Sequence, residues 1–198
     1  VTRVKTVEFF FDVGSPASYL AWSRIAGIAQ AAGAQLAYRP MLLGGVFQAT
    51  GNQSPMNIPA KSRYMKDDLA RFAQRHGVAF AHNDHFPINT LTLMRIATGL
   101  QMRDEAQMRS CVDAIGRAIW VDGKNMNDPA VVATVLQAAG FDPQQLLALA
   151  ADPQVKERLK AVTQEAVARG VFGAPTFFVD GRMYWGQDRL DFIQEALT

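Results

Sequence analysis

The short apolar and aromatic run from Val7 to Val13 leads straight into Gly14-Ser15-Pro16, and this junction constrains the chain more than any other feature. The run has strand length and β propensity, and the glycine bounds it. Serine followed by proline is a strong helix start. The serine hydroxyl accepts from an otherwise unpaired first-turn N–H, and proline has no N–H to leave unpaired. Tyr19, Leu20, Ile25, Ile28 and Ala29 then recur at helical spacing, and Gly33 closes the helix. Ala34 to Arg39 reads as a second strand. A β-α-β opening of this kind makes a parallel pair.

Beyond Pro40 the texture changes. Leu42 to Pro59 is rich in Gly, Asn, Gln, Ser and Pro and reads as a long loop. Pro59 opens a helix in which Met65, Leu69, Phe72 and His76 share a face, and Gly77 ends it. Asn89 caps a helix through Leu100, and Met108, Cys111, Ile115 and Ile119 form the buried stripe of the next, with Gly123 beyond it. Asp128-Pro129, Asp142-Pro143 and Asp152-Pro153 each pair an N-cap with a first-turn proline, so each starts a helix. Gly140 and Gly170 are stop signals. The pattern then reverts: residues 175–180 (PTFFVD) form a strand, Gly181 a turn, Arg182 to Trp185 a strand, and Asp188 to Leu197 a closing helix.

The expected order is β-α-β, a helical block over residues 60–170, then β-β-α. Neither flank, 1–59 or 171–198, could bury a sheet alone, so the reading is one α/β unit spanning 1–198 with an all-helical insertion. The chain of 198 residues has 49% hydrophobic and 19% charged residues, which excludes disordered and collagenous classes. A formal net charge of +2 gives no reason to invoke nucleic acid or an anionic membrane. No apolar run approaches the roughly 18 residues that a spanning helix needs. Glu8 and Asp12 interrupt the apolar start, which therefore does not read as a signal peptide, and a reducing cytoplasm is the expected location. The single cysteine, Cys111, excludes an intramolecular disulfide.

Three strings carry a family resemblance. FFFDVGSPASYL (9–20) opens the chain, GNQSP (51–55) with IPAKSRYMKDDL (58–69) lies in the middle, and GVFGAPTFFVDGRMYWGQDRL (170–190) lies near the end. The element order resembles the thioredoxin superfamily, and the helical insertion resembles its DsbA-like branch. The strings resemble those of the glutathione-dependent 2-hydroxychromene-2-carboxylate isomerases and their kappa-class glutathione transferase relatives, in order and across essentially the whole chain. The resemblance implies glutathione as cofactor, a small aromatic keto-acid substrate and a homodimer.

Residue chemistry bears on that implication. Where a thioredoxin-type oxidoreductase carries C-x-x-C, this chain has Ser15-Pro16-Ala17-Ser18, which excludes dithiol redox chemistry. A helix N-terminus still favours an anion, and in this family that anion is the glutathione thiolate. A free thiol is only about 3% thiolate at pH 7, and lowering its pKa by about two units takes roughly 2.7 kcal/mol. A charge-assisted hydrogen bond from Ser15 supplies roughly 1.5–3 kcal/mol, and a helix terminus about 0.3–2 kcal/mol. Read locally, Ser15 is equally a plain cap, with Ser18 a supporting hydroxyl.

The resemblance implies further contacts. Ala174-Pro175 is the expected cis bond, with Ala174 pairing to the cofactor backbone. Trp185, Gly186, Gln187 and Asp188 bind the γ-glutamyl end. Asn52 and Lys61 complete the cofactor set, Lys61 against the glycine carboxylate. Asn57, Tyr64 and Asn89 line the organic substrate's pocket. Relatives carry Ser or Asn where Gln187 stands. Each residue also has an ordinary reading: an edge proline, a helix-capping Asp188 or Asn89, a solvated Lys61. His76, His82 and His85 lack the frame of a zinc site, and no metal is expected. Two other functions stay open: a kappa-type transferase with the same cofactor site, and a non-catalytic thioredoxin-like binding module.

Overall fold

A computed structural model describes residues 4–198. Strand β1 (Thr6–Phe11) sits inside a four-stranded sheet of order β2-β1-β3-β4. It runs parallel to β2 (Gln35–Pro40) and antiparallel to β3 (Thr176–Val179), which in turn pairs antiparallel with β4 (Arg182–Trp185). The β3–β4 half of the sheet is thus built from the far end of the sequence, which is what an insertion between β2 and β3 requires.

Alternation along β1 sorts its side chains between two layers. Val7, Phe9 and Phe11 face α1 (Pro16–Ala31), α9 (Leu190–Leu197) and the helical block, in one large core that also holds Phe177, Ile193 and Trp120. Phe10 faces the other way, with Met41, Val46, Val162, Ala166, Val171 and Phe178. That second layer is made by α2 (Leu43–Thr50) and α8 (Pro153–Ala168). The last member of the helical block therefore covers one face of the sheet. Glu8 also lies on this side, held by Arg169 at 2.7 Å, with Arg169 over the Phe178 ring at 3.8 Å.

Between β2 and β3 the remaining helices are α3 (Pro59–His76), α4 (Leu91–Arg103), α5 (Glu105–Trp120), α6 (Pro129–Ala138) and α7 (Pro143–Ala151). The Asp-Pro starts hold: Asp128, Asp142 and Asp152 each accept from the N–H two residues on, at 2.8–2.9 Å. α4 begins one residue later than expected, with Thr90 at the cap position and Asn89 accepting from Leu91 N–H. On α3 the buried positions are Leu69 and Ala73, while His76 in the last turn is exposed.

One expectation is corrected. The segment after Pro40 is not a long loop, because residues 43–50 form α2. Gly44 and Gly45 weaken a helix by roughly 1 kcal/mol each relative to alanine. Tertiary contacts offset that: Val46 is fully buried, Leu42 N–H donates to Thr163 Oγ1 and Leu43 N–H to Asp12 Oδ2.

Cys111 lies wholly inside the α5 packing face, and burial pushes its thiol up to about 12. Thiol reactivity follows thiolate fraction and access. A chromogenic disulfide reagent should therefore find no reactive thiol in the folded protein and one per chain in denaturant.

Candidate active site

The end of β1 and the first turn of α1 are organised around Asp12. Its carboxylate is 1% exposed, and three segments donate to it: Gly14 N–H to Oδ1 at 2.9 Å, Leu43 N–H to Oδ2 at 2.8 Å and Thr90 Oγ1–H to Oδ2 at 3.0 Å. Burial pushes this carboxyl above the usual carboxylate range, against the pull of those three donors. Asp12 thereby ties the turn to the start of α2 and to the cap of α4. Gly14 cannot be larger without a shift, since a Cβ there would lie 2.8 Å from Thr90 Cγ2. From the sequence Asp12 stood out only as a charge interrupting the apolar start, not as the centre of this turn. Its signal was there, a carboxylate in an otherwise apolar strand end.

Ser15 is the N-cap of α1 and is 5% exposed. Its Oγ accepts from Ser18 N–H at 3.0 Å and donates to the Ala174 carbonyl at 3.1 Å. Ser15 thus caps its helix, as the plain reading has it, and its hydroxyl proton points across to the residue before Pro175. The Ala174–Pro175 bond is cis, and the Pro175 carbonyl accepts from Gly186 N–H at 3.0 Å. Gly186 has φ +109°, and a Cβ there would lie 2.6 Å from Asp188 Oδ1, so the turn into Gln187–Arg189 needs a glycine.

These parts meet in one cleft of about 340 Å³, within the roughly 300–1,000 Å³ of small-molecule sites. Of the residues expected from sequence, Ser15, Asn52, Ala174, Trp185, Gly186, Gln187 and Asp188 line it. Asn52 is anchored by donating to the Phe172 carbonyl at 2.8 Å, and Trp185 packs on Phe172 with ring centroids 5.0 Å apart. Asp188 pairs with Arg189 at 2.7 Å. The opposite wall is apolar, with Leu43, Phe47, Met56, Met65, Leu69 and Phe86. Leu43 and Phe47 reach it from α2, and the loop expectation had hidden them.

The other expected residues stand apart. Lys61 and Tyr64 are exposed on the first turns of α3, and Asn57 ends a short 3-10 turn, Pro55–Asn57, beside them. These flank the cleft rather than line it. Asn89 lines a separate cavity of about 240 Å³ between α4 and α6, where its N–H donates to Asn127 Oδ1 at 2.8 Å. Among the described residues there is no group of three or more metal-ligating side chains.

The DSBA-like thioredoxin domain matches residues 6–198. A 2-hydroxychromene-2-carboxylate isomerase of Sphingobium xenophagum is 32% identical, with 98% of each chain covered. The chain belongs to the 2-hydroxychromene-2-carboxylate isomerase family. A solved structure of a 2-hydroxychromene-2-carboxylate isomerase superposes with a TM-score of 0.81 at 31% identity, covering 97% of this chain and 94% of that one. Human glutathione S-transferase kappa 1 is 29% identical over 98% of this chain and 91% of its own. The family's fold accounts for the order seen here, with the cleft at the junction of the sheet and the inserted helices.

Two groups in the cleft bear on a peptide-like cofactor with charged ends. Gln187 is 5% exposed, and its Oε1 is buried without a hydrogen-bond partner among the described residues. A buried acceptor left unpaired costs roughly 1–3 kcal/mol, so it suits an incoming donor such as an ammonium. The first turn of α1 also opens on the cleft through Ala17, and helix N-termini leave their first N–H groups unpaired. The residues present fit glutathione: an acceptor and a carboxylate suit an ammonium, a helix start suits a thiolate, and the half-buried Ala174 backbone lines the same cleft.

Proposed function

We propose that the chain is a glutathione-dependent isomerase converting 2-hydroxychromene-2-carboxylate to trans-o-hydroxybenzylidenepyruvate, in the cytoplasm and as a homodimer. One observation carries the site assignment. Ser15 Oγ stands 3.1 Å from the carbonyl before a cis proline, in a cleft whose wall includes the Gly186–Asp188 turn. The full-length likeness to named isomerases supports the reaction class.

When bound, glutathione supplies a thiolate nucleophile for reversible covalent catalysis. The chain's own residues hold that charge. The Ser15 hydroxyl exchanges the Ala174 carbonyl for the thiolate, while Ser18 N–H continues to donate to its oxygen. Exchanging a neutral acceptor for an anion gains from charge assistance. The dipole at the start of α1 adds to it. Ala174 pairs with the peptide backbone as an added strand would. Gln187 and Asp188 receive the γ-glutamyl ammonium, Asn52 and Trp185 wall the cleft, and Lys61 on the rim meets the glycine carboxylate. The apolar wall takes the aromatic ring, with Asn57 and Tyr64 at its mouth. Asn89, in its separate cavity, has no part in this version of the site.

The likeness to human kappa 1 keeps a transferase as the second reading. Following the isomerisation spectroscopically with and without glutathione, while counting free thiol, separates them. The isomerase needs glutathione and leaves the thiol count unchanged. Loss of one thiol per product would indicate the transferase, and a rate indifferent to glutathione would refute both.

A further inference from the structure

On the far side of α2 from the cleft lies a larger groove of about 680 Å³, bounded by α2, α4 and α8. Its apolar surface comes from side chains such as Leu42, Leu91 and Leu159. Its charged lining is Arg95, Lys156, Lys160 and Glu157, three cations to one carboxylate. Glu157 lies 4.0 Å from Lys160 and offsets that charge in part.

Arg95 is the half-buried one of these three cations, while Lys156 and Lys160 are exposed. Four arginines are half-buried among the described residues: Arg24, Arg39, Arg95 and Arg169. Arg39 is paired with Glu165, Arg169 holds Glu8 and Glu165, and Arg24 lies in the field of Asp191. Arg95, like Arg24, makes no ion pair and no side-chain hydrogen bond among the described residues, and of the two only Arg95 lines this groove. Removing a guanidinium from water without a partner is costly. A planar fork beside aliphatic surface matches a carboxylate carried on an apolar body, through paired N–H···O bonds.

We propose that this groove is a second binding site, for a small apolar carboxylate whose anionic end meets Arg95 and whose body lies on the aliphatic surface between α2 and α8. The assignment is independent of the glutathione reading. It rests on the match of one unpaired cation, two flanking lysines and an apolar floor to one ligand chemistry.

Amide NMR spectra titrated with 1-naphthoate test it, because they separate this groove from the catalytic cleft. The expected result is saturable shifts of residues on the groove side, such as Gly45, Arg95 and Gln164. The neutral analogue 1-naphthylmethanol should leave them nearly unmoved. Arg95→Gln should weaken naphthoate binding there about ten- to a hundredfold, as loss of a charge-assisted contact does. If that variant folds poorly, the exposed pair Lys156→Gln and Lys160→Gln should weaken it in the same direction. Shifts confined to the cleft around Ser15 and Trp185 would overturn the proposal. So would groove binding equally strong for the alcohol, or unchanged by both sets of substitutions.

Discussion

Ser15→Ala is expected to lower kcat/KM of the glutathione-dependent reaction about ten- to a hundredfold, the equivalent of one hydrogen bond to a charged partner at roughly 1.5–3 kcal/mol. The substitution also leaves Ser18 N–H without the acceptor it now has at 3.0 Å, so stability should fall by about 1 kcal/mol as a lost cap. The two effects separate on a pH profile. With the hydroxyl gone, the bound thiol ionises less readily, and the rising limb of kcat/KM should move to higher pH. A plain capping serine would lower the melting temperature and leave that limb in place. Ser15→Thr, which retains the hydroxyl, should restore most of the activity.

Asp12 carries the other large effect, and it acts on Ser15 through the turn. Asp12→Ala strands three donors from three segments, each leaving an unmet buried bond of roughly 1–3 kcal/mol, so a loss of about 3–5 kcal/mol is expected. Asp12→Asn keeps the shape but turns an N–H₂ toward at least one donor, and should cost less. It also gives a pH test. The carboxyl of Asp12 is held above its unfolded value by burial, so the folded state takes up this proton first. Its contribution to stability therefore rises as pH falls through the folded pKa. Glu8 works in the opposite direction. Its hydrogen bond to Arg169 holds it below the usual range, and that stabilisation is lost as pH falls through its folded pKa. Urea titrations from neutral to acid pH should show Asp12→Asn losing stability more steeply than the wild type, because only the Glu8-type loss remains. Equal slopes would mean that Asp12 does not titrate in this range.

What the sequence revealed and what it hid divide along a physical line. Ser15-Pro16 and the three Asp-Pro starts were legible because a cap is decided within three residues, and all four side chains accept the expected N–H. The flanking strands were legible from their aromatic runs. The helix α2 was hidden, because LGGVFQAT is a poor helix by propensity and is held by Asp12, Thr163 and the buried Val46, all distant in sequence or packing. The role of Asp12 was hidden for the same reason. Its partners Leu43 and Thr90 lie 31 and 78 residues away. Of the residues that the resemblance implied for the cofactor, Ser15, Asn52, Ala174 and Trp185 to Asp188 line one cleft, and Lys61 stands outside it. The residues that the resemblance implied for the organic substrate were less legible: Asn89 lines another cavity, and the apolar lining of the cleft comes partly from the unforeseen α2.

Calorimetric titration of glutathione into the wild type at neutral pH, repeated in buffers of different ionisation enthalpy, bears most directly on the proposed thiolate site. Binding should release about 0.7 proton per site at pH 7, since a thiol that is about 3% ionised in solution becomes about three-quarters ionised when its pKa falls by about two units. Binding without proton release, or no binding at all, would contradict the account.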